Sequence, residues 1–184
     1  MPTRTVHKGF FQLDIVDTPD GKREVLRTND SVSVLLYDEE RNRVLLVRQP
    51  RAAMITPENP EGFITENVAG RFDVALSPTD LVIKEAWEEA GVRLNPDDVI
   101  IMNDGRPMAV SAGALTERSY LALAVIREGS YDPKERTFGA ADEHERITRV
   151  WVPIADLERQ GFEDVRVFAL VQYLLRLLET DREV

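Results

Sequence analysis

The sequence predicts an α/β domain in which a mixed β-sheet is covered by helices. Three features point there. Two apolar runs, residues 31–37 and 44–48, read as central strands joined by the charged turn at residues 38–42. A helix with clear ends lies between Ser77 and Gly91. An amphipathic stretch over residues 162–179 reads as a terminal helix, and strands interspersed with helices make layering the economical architecture.

In chain order, residues 6–16 alternate loosely and read as a strand, Thr18-Pro19-Asp20-Gly21 as a turn, and residues 22–27 as the returning strand. This β-hairpin has too little apolar surface to stand alone, so it must pack on the main domain or on a second subunit. The expected division is residues 1–29 for the hairpin region and 30–184 for the main domain. Residues 52–62, with Pro57 and Pro60, form a loop, and 63–69 a short strand that delivers the chain to Gly70. Beyond the central helix, strands are expected at residues 99–102, 120–126 and 147–152, with a short helix at 153–160. The polar segment 127–142 has a length that is usually functional or mobile.

The central helix carries the chemistry. Ser77 suits the N-cap, Pro78 the first helical position, and Asp80 stands three residues after the cap. Gly91 is the expected stop. Ile83, Ala86, Trp87 and Ala90 recur on one face, which is expected to be buried. Glu85, Glu88 and Glu89 share another face. Like charges at i and i+4 are unfavourable, and carboxylates in the last turn oppose the helix dipole by about 0.3–1 kcal/mol each. No Lys or Arg follows them within the helix. A hard divalent cation such as Mg²⁺ would offset that repulsion, since one or two carboxylates hold it alongside waters and phosphate oxygens. The plainer alternative is solvated surface charge.

Composition narrows the chemistry further. The chain has 184 residues, a formal net charge of −10 and no cysteine, which excludes disulfides, thiolate metal sites and cysteine nucleophiles. With only His7 and His144, a histidine-rich metal site is not expected. The acidic balance argues against broad binding to nucleic acid or to an anionic membrane. No apolar run approaches the roughly 20 residues that span a bilayer, and the first residues lack an apolar signal core. The cytoplasm is the expected compartment.

The segment from Gly70 to Val92 resembles the Nudix box, G-x5-E-x7-R-E-u-x-E-E-x-G-u, with u a bulky apolar residue. Gly70, Glu85, Glu88, Glu89, Gly91 and Val92 match, and Ala86 fills an apolar position. Leu76 stands in place of the first Glu and Lys84 in place of Arg. The resemblance extends to residues 47–51 (VRQPR), 66–70 (ENVAG), 111–119 (SAGALTERS) and 142–147 (DEHERI), which are similar to segments of ADP-ribose and GDP-mannose pyrophosphatases. Those relatives usually carry Pro-Gly-Gly where this chain has Ala112-Gly113-Ala114, and an arginine where it has Thr28.

The resemblance implies a Nudix α/β/α sandwich, homodimeric through its N-terminal strands, that hydrolyses the diphosphate bridge of a nucleoside diphosphate sugar using Mg²⁺, with Mn²⁺ an alternative. ADP-ribose is the favoured substrate; GDP-mannose, another diphosphate, isomerase chemistry or a non-catalytic binding module are the alternatives. It further implies that Glu85, Glu89, Glu88 and the Ala69 carbonyl hold metal. Glu143 is the first choice and Glu145 the second for general base, with Glu88 also placed among the catalytic residues. Arg51, Arg48, Glu66, Glu117 and Arg27 are the expected substrate contacts, with Phe10 and Phe11 available to stack on the base.

Overall fold

In the computed structural model, which describes residues 1–135, 138–139 and 146–180, the chain begins with β1 (Thr3–Lys8), β2 (Gln12–Thr18) and β3 (Gly21–Arg27). There follow β4 (Ser31–Asp38), β5 (Arg43–Pro50), β6 (Phe63–Glu66), β7 (Val68–Arg71) and the helix α1 (Pro78–Ala90). The rest comprises β8 (Val99–Ile101), β9 (Met108–Ala109), β10 (Arg118–Val125), β11 (Thr148–Pro153), a one-turn α2 (Ile154–Leu157) and α3 (Val165–Thr180).

The main sheet runs β11-β5-β4-β10-β8. It is mixed: β10 lies parallel to β4, with Ser31 opposite Ser119, while the other pairs are antiparallel. Both faces are covered. Val32, Val34, Leu36, Leu45 and Val47 pack with Leu81, Val82, Ala86 and Ala90 of α1. Leu35, Val44, Leu46, Leu121 and Leu123 pack with Val167, Leu170, Val171 and Leu174 of α3. Burial on two sides is why β4 reads as a continuous apolar run rather than an alternation.

β4 and β5 pair only over Leu36–Asp38 and Arg43–Leu45, then diverge. The gap is filled by the segment expected to be one strand. It breaks at Asn67, so that β6 pairs with β5 and β7 pairs with β4. This split leaves β5 and β7 placed to meet Glu89 of α1 through Gln49 and the Ala69 main chain.

The N-terminal region forms a three-stranded antiparallel sheet in the order β1-β2-β3. The expected hairpin is β2–β3; the run expected as one strand over residues 6–16 turns at Gly9–Phe11, where the Gly9 N–H donates to the Phe11 carbonyl. Every residue of β1 is exposed. The sheet is tied to the main domain by Leu26 N–H to Ala114 O (2.8 Å) and Thr116 N–H to Leu26 O (3.1 Å). The Thr116 hydroxyl accepts from Thr28 N–H and donates to the Thr28 carbonyl.

The ends of α1 follow expectation. Ser77 Oγ accepts from Asp80 N–H at 3.1 Å. Gly91 takes a left-handed conformation, φ +57°, its N–H returning to Trp87 O while Val92 N–H returns to Ala86 O. The buried face differs. Leu81, Val82, Ala86, Glu89 and Ala90 are buried, Ile83 only partly, and Trp87 is 46% exposed. At 100° per residue, Glu89 projects between Leu81 and Val82, so the carboxylate lies inside the buried stripe, which leaves Trp87 on its outer flank.

A Cβ added at Gly91 would meet Phe138 and Arg149 as well as adopting a disfavoured φ. Gly91→Ala is therefore expected to destabilise the fold by about 2 kcal/mol, measured as a lower urea midpoint at unchanged slope.

Candidate active site

Glu89 stands at the centre of the site. Its residue is 4% exposed, its Oε2 accepts the Ala69 N–H at 2.9 Å, and its Oε1 accepts from Gln49 Nε2 at 3.3 Å. One carboxylate thus joins α1 to β7 and β5. Burial pushes its pKa from 4.5 up to about 8; the Ala69 N–H and the nearby Arg51 charge oppose that rise, and Glu85 adds to it.

Glu85 lies one helical turn before Glu89 and packs against Gly70, where a Cβ would overlap its carboxyl group. Glycine at that position lets the Glu85 carboxyl lie against the main chain; a larger residue would push that carboxyl aside. Glu88 receives the Lys84 ammonium, which also reaches Glu85 Oε1 at 3.1 Å. The cation on this face is therefore Lys84, which precedes the glutamates in the helix. Leu76, in place of the first Glu of the box, is exposed beside Pro78, Phe72 and Tyr120.

On the facing strands, Arg51 Nε donates to Glu66 Oε1 at 2.7 Å. Glu66 is 3% exposed. Its pKa is raised by burial and pulled back by Arg51, then Arg166. Arg51 and Glu66 are thus brought to one another, and the Arg51 charge reaches Glu89. Arg166 was not singled out in the sequence, where it passes as the polar side of an amphipathic helix. It stands 3.7 Å from Glu66 Oε2 and forms a fork with Asp164 at 2.6–3.2 Å. Gln49 was missed too; its alternation with Val47 on a buried strand is the signal that would have found it.

The other expected residues are placed elsewhere. Arg48 points out from β5 and lays its guanidinium over Phe63, 4.5 Å from the ring centre. Arg27 is paired with Asp14 at 2.9 Å, and this guanidinium, with Gln12 and Thr5, holds the Asp14 carboxyl below its usual range. Glu117 accepts from the Ser31 hydroxyl at 2.8 Å. Phe10 and Phe11 stack edge-on at 4.8 Å, and Arg71, next to Gly70, lies over Phe10 at 4.3 Å. Glu143 and Glu145 lie outside the described residues.

A divalent ion fits this donor set. The groups available are hard oxygens, with neither sulfur nor imidazole among them, and Gly70 opens room for the Glu85 carboxyl beside the Ala69 main chain. Among the described residues no three acidic or imidazole side chains converge. Two carboxylates with phosphate oxygens and water suffice for Mg²⁺.

A family profile described as NUDIX domain matches residues 27–171. The chain is 34% identical over 158 residues to a GDP-mannose pyrophosphatase of Cronobacter sakazakii, covering 83% of this chain and 77% of that one. It is 28% identical over 174 residues to an ADP-ribose pyrophosphatase of Escherichia coli, covering 89% of this chain and 78% of that one.

Two outcomes follow from the geometry. The folded protein holds a proton on Glu89 that the unfolded chain releases above pH 4.5, so stability falls as pH rises from 4.5 towards 8. With chelator present, Glu89→Gln is expected to melt close to the unmodified chain at pH 5 and roughly 5 °C above it at pH 8. Lys84→Gln removes an ammonium that an incoming cation must displace, and calorimetric titration with Mn²⁺ should show roughly three- to fivefold tighter binding.

Proposed function

We propose, since this chain belongs to the NUDIX domain family and is a Nudix pyrophosphohydrolase, that it hydrolyses the diphosphate bridge of nucleoside diphosphate sugars with a divalent metal, Mg²⁺ or Mn²⁺. The observation that carries this reading is the buried Glu89 with Glu85 beside it on one helix, facing the Ala69 main chain and flanked by the Arg51 guanidinium. Carboxylates and arginine so disposed suit a metal-bound diphosphate, which needs hard oxygen ligands on one side and a guanidinium on the other.

Glu85, Glu89 and the Ala69 carbonyl would hold the ion, with Glu88 in its shell or just outside. When bound, it supplies positive charge to the bridge and lowers the pKa of the attacking water. Arg51 spends only Nε on Glu66 among the described residues, so both of its Nη groups are available for phosphate oxygens. Water attacks one phosphorus, and the bridging oxygen leaves with the other phosphate. The products are a nucleoside monophosphate and a sugar phosphate. Glu143 is the proposed base for the water proton, with Glu145 the second choice.

ADP-ribose is the leading substrate. GDP-mannose is a second reading, favoured by the higher identity to the GDP-mannose pyrophosphatase. Arg48, Glu117 and, at the base, Arg27 remain proposed substrate contacts. The fully exposed β1 and Phe10, 78% exposed, support a homodimer formed through the N-terminal sheet.

Incubation with a panel of nucleoside diphosphate sugars and Mg²⁺, with products identified by mass, should yield the nucleoside monophosphate and sugar phosphate from one of these two. Glu89→Gln should lower turnover by at least about 10²-fold, the scale set by losing an electrostatic group of the transition state. Binding of nucleotide sugars without cleavage would reduce the protein to a binding module.

A further inference from the structure

α3 packs behind the sheet, on the side opposite α1, yet its first turn reaches the phosphate side of the site. Asp164 precedes the helix and accepts the Arg166 N–H at 2.7 Å with Oδ1. The same carboxylate takes the Arg166 side chain through Nε and Nη2. That fork fixes a guanidinium whose side chain is only 22% exposed. Arg166 Nη2 then faces Glu66 Oε2, while Glu66 Oε1 is already bound by Arg51. Four alternating charges, Asp164, Arg166, Glu66 and Arg51, thus run from the terminal helix to the arginine at the end of β5.

We propose that Arg166 is a positioning residue for catalysis: acting through Glu66, it fixes the Arg51 guanidinium that receives the substrate's phosphate. Glu66 is buried and has two oxygens to satisfy. With one arginine it would close on Arg51 as a two-point fork, drawing the Nη groups away from substrate. Arg166 Nη2 holds the second oxygen at an ion-pair distance of 3.7 Å, so the charge of Glu66 is shared, and Glu66 binds Arg51 only through Nε and leaves the outer edge of that guanidinium for phosphate. The inference rests on the reading of Arg51 as the phosphate-orienting group.

The test is calorimetric binding of α,β-methylene ADP-ribose and of α,β-methylene GDP-mannose, uncleavable analogues, to the full chain and to Arg51→Ala, Arg166→Met and the double variant. Arg51→Ala is expected to weaken binding about 30-fold and Arg166→Met about tenfold, with the double variant no weaker than Arg51→Ala alone, because residues in one network do not add. Arg166→Lys, which keeps a charge facing Glu66 but loses the fork to Asp164, should recover part of the affinity and bind between Arg166→Met and the unmodified chain. It also keeps the proposal testable if Arg166→Met does not fold, since Arg166→Lys combined with Arg51→Ala must again match Arg51→Ala. A purely structural anchor of α3 predicts a lower melting temperature with unchanged affinity, and that result overturns the proposal, as do penalties that multiply in the double variant. Failure of the unmodified chain to bind either analogue overturns the substrate reading and this role with it; tight binding that Arg166→Met leaves intact overturns the role alone.

Discussion

The rest of the site depends on a single buried carboxylate. Glu89 takes the Ala69 N–H on one oxygen and the Gln49 amide on the other, so α1, β7 and β5 meet at one group. Taking a carboxylate out of water is costly unless its lone pairs are met, and two hydrogen bonds offset part of that cost. The remainder appears as the raised pKa. A site built this way is less stable empty than filled, because a cation would restore the charge that burial suppresses. The split in the sheet serves the same end, since it leaves β7 and β5 placed for the Ala69 main chain and the Gln49 side chain to meet the helix.

Leu76 and Lys84 depart from the box together, and the structure gives a physical reason why the pair of changes is tolerated. With leucine in the loop there is no carboxylate there for a cation at position 84 to bind. Lys84 turns instead to Glu85 and Glu88, on its own helix. The repulsion inherent in three glutamates at i, i+3 and i+4 is thereby relieved within one turn. The pairing is partly exposed and weak enough to exchange.

Much of this was legible in the sequence. The caps of α1 were readable because Ser, Pro and Gly act locally, and β4 and β5 because burial on both faces leaves an unbroken apolar run. What periodicity could not settle was which of two overlapping helical stripes faces the sheet. Trp87 belongs to the more apolar stripe, yet the buried stripe contains Glu89, whose hydrogen bonds come from strands far away in sequence. The Gly9–Phe11 turn was hidden because its two phenylalanines look like strand residues. Asn67 gave no local sign that β6 and β7 part to different neighbours. Arg166 was invisible for a related reason: Asp164 holds it locally, but Glu66 lies a hundred positions upstream, and only the tertiary fold brings that second carboxylate to it.

The parallel pairing of β4 with β10 has a consequence for how the chain acquires its structure. Ser31 finds Ser119 some 88 positions later, so one edge of the most buried strand stays bare until most of the chain exists. At synthesis rates of about 5–20 residues per second, that edge waits roughly 4–18 s on the ribosome. The antiparallel partners β5 and β7 arrive early and shield the other side. Closing such a distant parallel contact is slow, which makes insertion of β10 the natural bottleneck of folding and β4 the strand most exposed to mispairing in the interval.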